Sequence, residues 1–120
     1  MLVVEDEASI ASFVSLYLKN AGYTVRTAST GSEALSQVAA EQPGLIVLDL
    51  HQAIDGRDLL TSLKADPLTR DIKVVMLSGE ESQLTRHDCF KLGAEDYFVK
   101  PLDPLFFRRI SKIAGVEAAH

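Results

Sequence analysis

The sequence predicts a doubly wound α/β domain, a five-stranded parallel sheet with helices on both faces, and three observations point to it. Short apolar runs near residues 2–5, 45–49, 74–77 and 96–99 are rich in Val, Ile and Leu and do not alternate with polar residues. That pattern suits strands covered on both faces. Between the runs lie stretches with helical spacing and helix-capping residues, so strand and helix alternate along the whole chain. Finally, the runs end in polar residues: Glu5-Asp6, Asp49, Ser78 and Lys100-Pro101.

Leu2-Val3-Val4 reads as the first strand. Ile10, Phe13, Val14, Tyr17 and Ala21 recur at i, i+3, i+4 spacing as the apolar face of a helix, and Asn20-Ala21-Gly22 stops it with a C-terminal glycine. Tyr23-Thr24-Val25-Arg26-Thr27 is weaker and more alternating, as an edge strand would be. Thr30-Gly31-Ser32-Glu33 matches a capping box that opens a helix carrying Ala34, Leu35 and Val38. After the run 45–49, Asp55-Gly56 opens a third helix through Leu59, Leu60 and Leu63, ended by Asp66-Pro67. Ser82 or Glu81 begins a fourth, through Leu84 and Phe90 to Gly93, with the poorest apolar stripe and therefore the loosest expected packing. Asp103-Pro104 supplies an N-cap and an N1 proline to the last helix, with Phe106, Ile110 and Ile113 on one face.

Right-handed crossovers then give a flavodoxin-like sheet of strand order 2-1-3-4-5. Ligands of such sheets bind beyond the carboxyl ends of the strands, at the switch point between the first and third. Glu5, Asp6 and Asp49 fall there.

Bulk properties narrow the function classes. With 120 residues and 47% hydrophobic content, the chain can bury the core of one domain. A formal charge of -5 argues against non-specific nucleic-acid binding by this domain, which needs a basic footprint. Cys89 is the single cysteine, so no internal disulfide can form, and a reducing compartment fits. No apolar stretch approaches the roughly 20 residues that span a bilayer. Met1-Leu2-Val3-Val4 meets acid at once without a basic leader, so no membrane partner and a cytoplasmic location are expected. Both ends read as cut, which makes residues 1–120 one domain excised from a longer protein or trimmed at its ends.

Converging carboxylates, a hydroxyl and an ammonium are the chemistry of a magnesium-assisted phosphoryl site. Mg2+ takes hard oxygen ligands, habitually one or two carboxylates plus a phosphate oxygen. Asp6 and Asp49 would be direct ligands, and Glu5 a second ligand or one acting through water. Ser78 can donate to a phosphoryl oxygen, Lys100 offers a point charge, and Asp49 is placed as nucleophile. Each residue alone has an ordinary explanation. A Glu-Asp pair is usually solvated charge, Ser78 a turn residue and Lys100 a surface lysine; only their joint placement lifts them. His51 reads as a loop side chain, His87 and His120 as surface, and Cys89 as a small core residue.

The motifs Val4-Glu5-Asp6-Glu7, Asn20-Ala21-Gly22-Tyr23, Leu48-Asp49-Leu50 and Asp55-Gly56 occur in this order along the chain. They are followed by Met76-Leu77-Ser78-Gly79, Gly93-Ala94-Glu95-Asp96-Tyr97 and Val99-Lys100-Pro101. Together they resemble a response regulator receiver domain of two-component signalling. The resemblance implies that Asp49 takes a phosphoryl group from a histidine kinase or phosphotransfer protein. It implies Mg2+ held by Glu5, Asp6, Asp49 and the backbone carbonyl of His51, with Ser78 and Lys100 on the phosphoryl group. It also implies that Tyr97 turns inward with Ser78, that the Lys100–Pro101 peptide is cis, and that the face of fourth helix, fifth strand and fifth helix changes. Such a domain accepts and slowly loses phosphate on itself and is not a turnover enzyme. The resemblance also implies an output domain or a target protein as partner, and a homodimer is compatible with it. The stretch Asp49 to Gly56 departs from the family pattern: it is one residue shorter and lacks the usual Met-Pro pair.

That departure motivates a rival reading, a phosphorylation-independent interaction module with an altered Mg2+ loop. A phosphohydrolase is weaker, because Asp49-Leu50-His51 lacks a second catalytic aspartate two residues on. A flavin site is weaker still, because no phosphate-binding loop follows the first strand.

Overall fold

Non-alternating apolar runs become strands buried on both sides. In the computed structural model, which describes residues 1–49, 56–79, 83–100 and 104–114, β1 is Leu2–Val4, β2 Arg26–Ala28, β3 Leu45–Asp49, β4 Lys73–Ser78 and β5 Asp96–Val99. The helices are α1 Ala8–Asn20, α2 Gly31–Ala40, α3 Gly56–Ala65, α4 Gln83–Leu92 and α5 Pro104–Ala114. All strand pairs are parallel, in the order β2-β1-β3-β4-β5. This is the predicted topology.

Successive strand residues point to opposite faces, and two cores result. Leu2, Val4, Ile46, Leu48, Val74, Met76 and Tyr97 pack with Ala34 and Val38 of α2, Leu59, Leu60 and Leu63 of α3, and Cys89 of α4. On the other face, Val3, Leu45, Val47, Val75 and Leu77 pack with Val14 and Leu18 of α1 and Phe106 and Ile110 of α5.

Local signals terminate the helices as their residues dictate. Thr30 Oγ1 accepts the Glu33 N–H at 3.1 Å, while the Glu33 carboxylate accepts the N–H of Ser29 at 3.2 Å, one residue further back than in a standard capping box. Gly22 (φ 104°) and Gly93 (φ 109°) take the left-handed conformation after α1 and α4. The next N–H in each case closes the turn: Tyr23 donates to Leu18 O at 3.1 Å, and Ala94 to Cys89 O at 3.0 Å. The Asp66 carboxylate accepts from Leu68 N–H just past α3.

Three expectations need correction. The edge strand lies at Arg26–Ala28, later than the run 23–27 predicted, because its pairing starts at Leu2↔Arg26. The inward stripe of α1 is Ala11, Val14, Ser15 and Leu18, whereas Phe13 (57% exposed) and Tyr17 (46%) lie outside. Small residues let α1 sit close on the sheet, and Tyr17 stacks on Phe107 of α5 with ring centroids 3.6 Å apart. Leu35 and Phe90 are likewise exposed rather than inward. The proposed starts of α3, α4 and α5 at Asp55, Glu81 or Ser82, and Asp103 lie outside the described residues.

Candidate functional site

Strand register brings the chemistry to one edge. Val4 pairs with Leu48, so Glu5 and Asp49 are the next residues on neighbouring strands. Asp49 pairs with Leu77, so Ser78 follows beside it, and Ser78 pairs with Val99, so Lys100 comes next. Two backbone bonds extend the ladder at the edge: Glu5 N–H donates to Ala28 O at 2.9 Å and Lys100 N–H to Ser78 O at 2.7 Å. A sheet built from apolar runs thus ends in a row of functional groups.

The centre of that row is an ammonium between two carboxylates. Lys100 Nζ donates to Asp49 Oδ2 and, at 3.1 Å, to Glu5 Oε1. Both acids are buried: Asp49 is 1% exposed and Glu5 3%. Burial pushes the Glu5 carboxyl up to about 7, helped by hydrogen bonding to and repulsion from Asp49, and Lys100 offsets this only partly. Burial disfavours the Lys100 ammonium, yet the two carboxylates outweigh it and raise its pKa. With both acids ionised, the trio carries one negative charge more than Lys100 can neutralise.

Such a site favours a further cation, and hard carboxylate oxygens are what Mg2+ prefers. Glu5 and Asp49 therefore fit the expected metal in chemistry and charge. Asp6 is exposed and borders, with Glu5, an open groove of about 640 Å3 beside α1 and β2. Among the described residues no group of three or more His, Cys, Asp or Glu side chains is gathered at one point. His51, whose carbonyl was expected as a ligand, lies outside the described residues, and so does Pro101 with its expected cis peptide.

Ser78 is fully buried at the end of β4. Tyr97 is 2% exposed, on the sheet face that packs against α2, α3 and α4, and so already occupies an inward position. Two charged contacts had no signal in the sequence. Arg109 of α5 grips Asp96 Oδ2 through Nε at 3.0 Å and Nη2 at 2.7 Å. Arg86 of α4 lies over the Tyr97 ring. Neither pair is close in sequence or part of a periodic pattern, so only the folded packing reveals them.

With the geometry in view, comparisons with known proteins converge on one family. The model of the response regulator receiver domain matches residues 1–110. The alkaline phosphatase synthesis transcriptional regulatory protein PhoP of Bacillus subtilis is 37% identical over 105 residues, 87% of this chain and 43% of that protein. The chain spans about two fifths of the length of the first curated relatives it matches. A putative response regulator from Chloroflexus aurantiacus is 33% identical, with a TM-score of 0.88 over 94% of each chain. A response regulator from Burkholderia pseudomallei, solved with a phosphorylated aspartic acid, calcium ion and citrate, is 30% identical, with a TM-score of 0.82 over 98% of this chain and 67% of that one. Fold, strand-end groups and relatives agree: this chain belongs to the response regulator receiver domains of two-component systems.

Proposed function

We propose that Asp49 is the phosphoacceptor of a signalling switch, and the observation that carries this is the Lys100 ammonium shared by Asp49 and Glu5 at the carboxyl edge of the sheet. A carboxylate oxygen of Asp49 attacks the phosphorus of a phosphohistidine on a histidine kinase or phosphotransfer protein. The P–N bond breaks, its electron pair stays on the imidazole nitrogen, which takes a proton, and an acyl phosphate remains on Asp49. Lys100 transfers its contact from carboxylate to phosphoryl oxygen, and Ser78 donates its hydroxyl to another. Glu5, Asp6, Asp49 and the His51 carbonyl would hold Mg2+, which neutralises charge on the transferred group. The phosphorylated aspartic acid and cation of the Burkholderia pseudomallei relative support this assignment by similarity.

Phosphate shifts a conformational equilibrium only through contacts that differ between the two states. Here those are the contacts of Ser78 and Lys100, with Tyr97 inward in the phosphorylated state and the α4–β5–α5 face as readout. Residues 1–120 act as one cytoplasmic receiver domain, excised from a longer protein or trimmed at its ends, that signals to an output domain or a target protein; the domain turns over no substrate and needs neither nucleic acid nor membrane. A homodimer through the last helix is compatible with this scheme.

Incubation with acetyl phosphate and Mg2+, followed by intact mass, tests the proposal. One phosphate adduct is expected on the wild type and none on Asp49→Asn; an adduct on both, or on neither, overturns it. The shortened stretch from Asp49 to Gly56 favours a second reading, a phosphorylation-independent interaction module. Magnesium titration followed by NMR separates the two, since such a module binds the ion poorly.

A further inference from the structure

We infer that Arg86 is a positioning residue that holds the Tyr97 ring inward and ties it to α4. The inference rests on the reading of Tyr97 as the moving aromatic of the switch. Two contacts carry it. The Arg86 guanidinium carbon lies 4.8 Å from the centre of the Tyr97 ring, within range of a cation–ring attraction. Arg86 Nη1 also donates to the Tyr97 backbone carbonyl at 3.2 Å.

The second contact fixes the first. β5 is an edge strand, so one side of its main chain has no neighbouring strand to bond with. Arg86 takes a carbonyl of that strand, and this places its planar cation over the ring of the same residue. Among the described side chains of α4, Cys89 is buried and Leu92 packs, partly buried, against the same core. The polar grip of Arg86 on β5 adds a second tie between α4 and the strand. When the ring swings outward it leaves the guanidinium, and when α4 shifts the guanidinium leaves the ring. Either event costs the same contact, which is what couples them.

Labelling the chain with 3-fluorotyrosine gives three 19F signals, and Tyr97→Phe assigns the relevant one. Broadening by a soluble paramagnetic agent then reports how often the ring is exposed, with no phosphodonor present. Arg86→Met, which keeps the stem but loses the charge, is expected to raise the exposed fraction of Tyr97 about three- to thirtyfold, as loss of one partly shielded cation–ring contact implies. Tyr17 and Tyr23 should keep their wild-type signals, and Arg86→Lys should restore part of the effect. An unchanged Tyr97 signal in folded Arg86→Met, or equal changes at all three tyrosines, overturns the inference. If Arg86→Met fails to fold, Arg86→Gln decides by the same criteria. Because the measurement needs no phosphate, failure of Asp49 to accept a phosphoryl group would refute the switch and leave this result standing; a phosphorylated Asp49 with an indifferent Tyr97 would refute the latch alone.

Discussion

Replacing Glu5 with Gln probes the energetics of the acid pair directly. In the fold the Glu5 carboxyl is raised from 4.5 to about 7, first by burial and then by Asp49. Between those values the folded chain holds a proton that the unfolded chain has released. Stability therefore falls as pH rises through this window and levels off above it. At about 1.36 kcal/mol per pKa unit, the charged form costs at most ~3 kcal/mol at pH 8. Gln fills the same space without the charge, and the shift already counts the attraction to Lys100, so the net gain at pH 8 should be about 1–3 kcal/mol. Urea unfolding of both proteins with a chelator present, at intervals from about pH 5 to pH 8.5, measures this. The difference between the two should widen in favour of Glu5→Gln as pH rises, and millimolar Mg2+ should shrink it, because a bound cation favours the ionised carboxylate. A difference that stays constant across pH would refute the account of burial and Asp49 as the cause of the shift.

Lys100→Met should destabilise the chain by about 2–3 kcal/mol near pH 8, because two buried carboxylates lose their shared ammonium, and by less near pH 5, where Glu5 is protonated in the fold. Urea midpoints at the two pH values check it, and an equal loss at both would contradict it. Gly93→Ala should cost about 1–2 kcal/mol in the same assay, since φ is 109° and the new Cβ would lie 3.1 Å from the flexible Lys64 stem.

Much of this fold and site is legible in the sequence. The strands are visible because both faces of the sheet are covered, so Leu2–Val4 of β1, Leu45–Leu48 of β3 and Val74–Leu77 of β4 are apolar without interruption. Glu5, Asp49, Ser78 and Lys100 stood out because each interrupts or ends such a run where parallel strands share an edge. Less was legible where packing is decided by distant partners. Phe13 and Tyr17 continue the apolar spacing of α1, but the sheet accepts Ala11 and Ser15 instead, and Tyr17 finds its partner at Phe107. β2 is short and pairs on one side only, so its residues carry a weak pattern and its start is set by the pairing of Arg26 with Leu2. Arg86 over Tyr97 and Arg109 on Asp96 are pairings between separate elements, and neither an isolated arginine nor its spacing announces a partner.

The most direct test of the central claim is where the phosphoryl group goes. An acyl phosphate on a carboxylate is reduced by borohydride to a primary alcohol, so a phosphorylated aspartate becomes homoserine. After incubation with acetyl phosphate and Mg2+, borohydride treatment and peptide mass mapping should find homoserine at position 49. Homoserine at another aspartate, or none anywhere while Asp49 stays unmodified, would contradict the account.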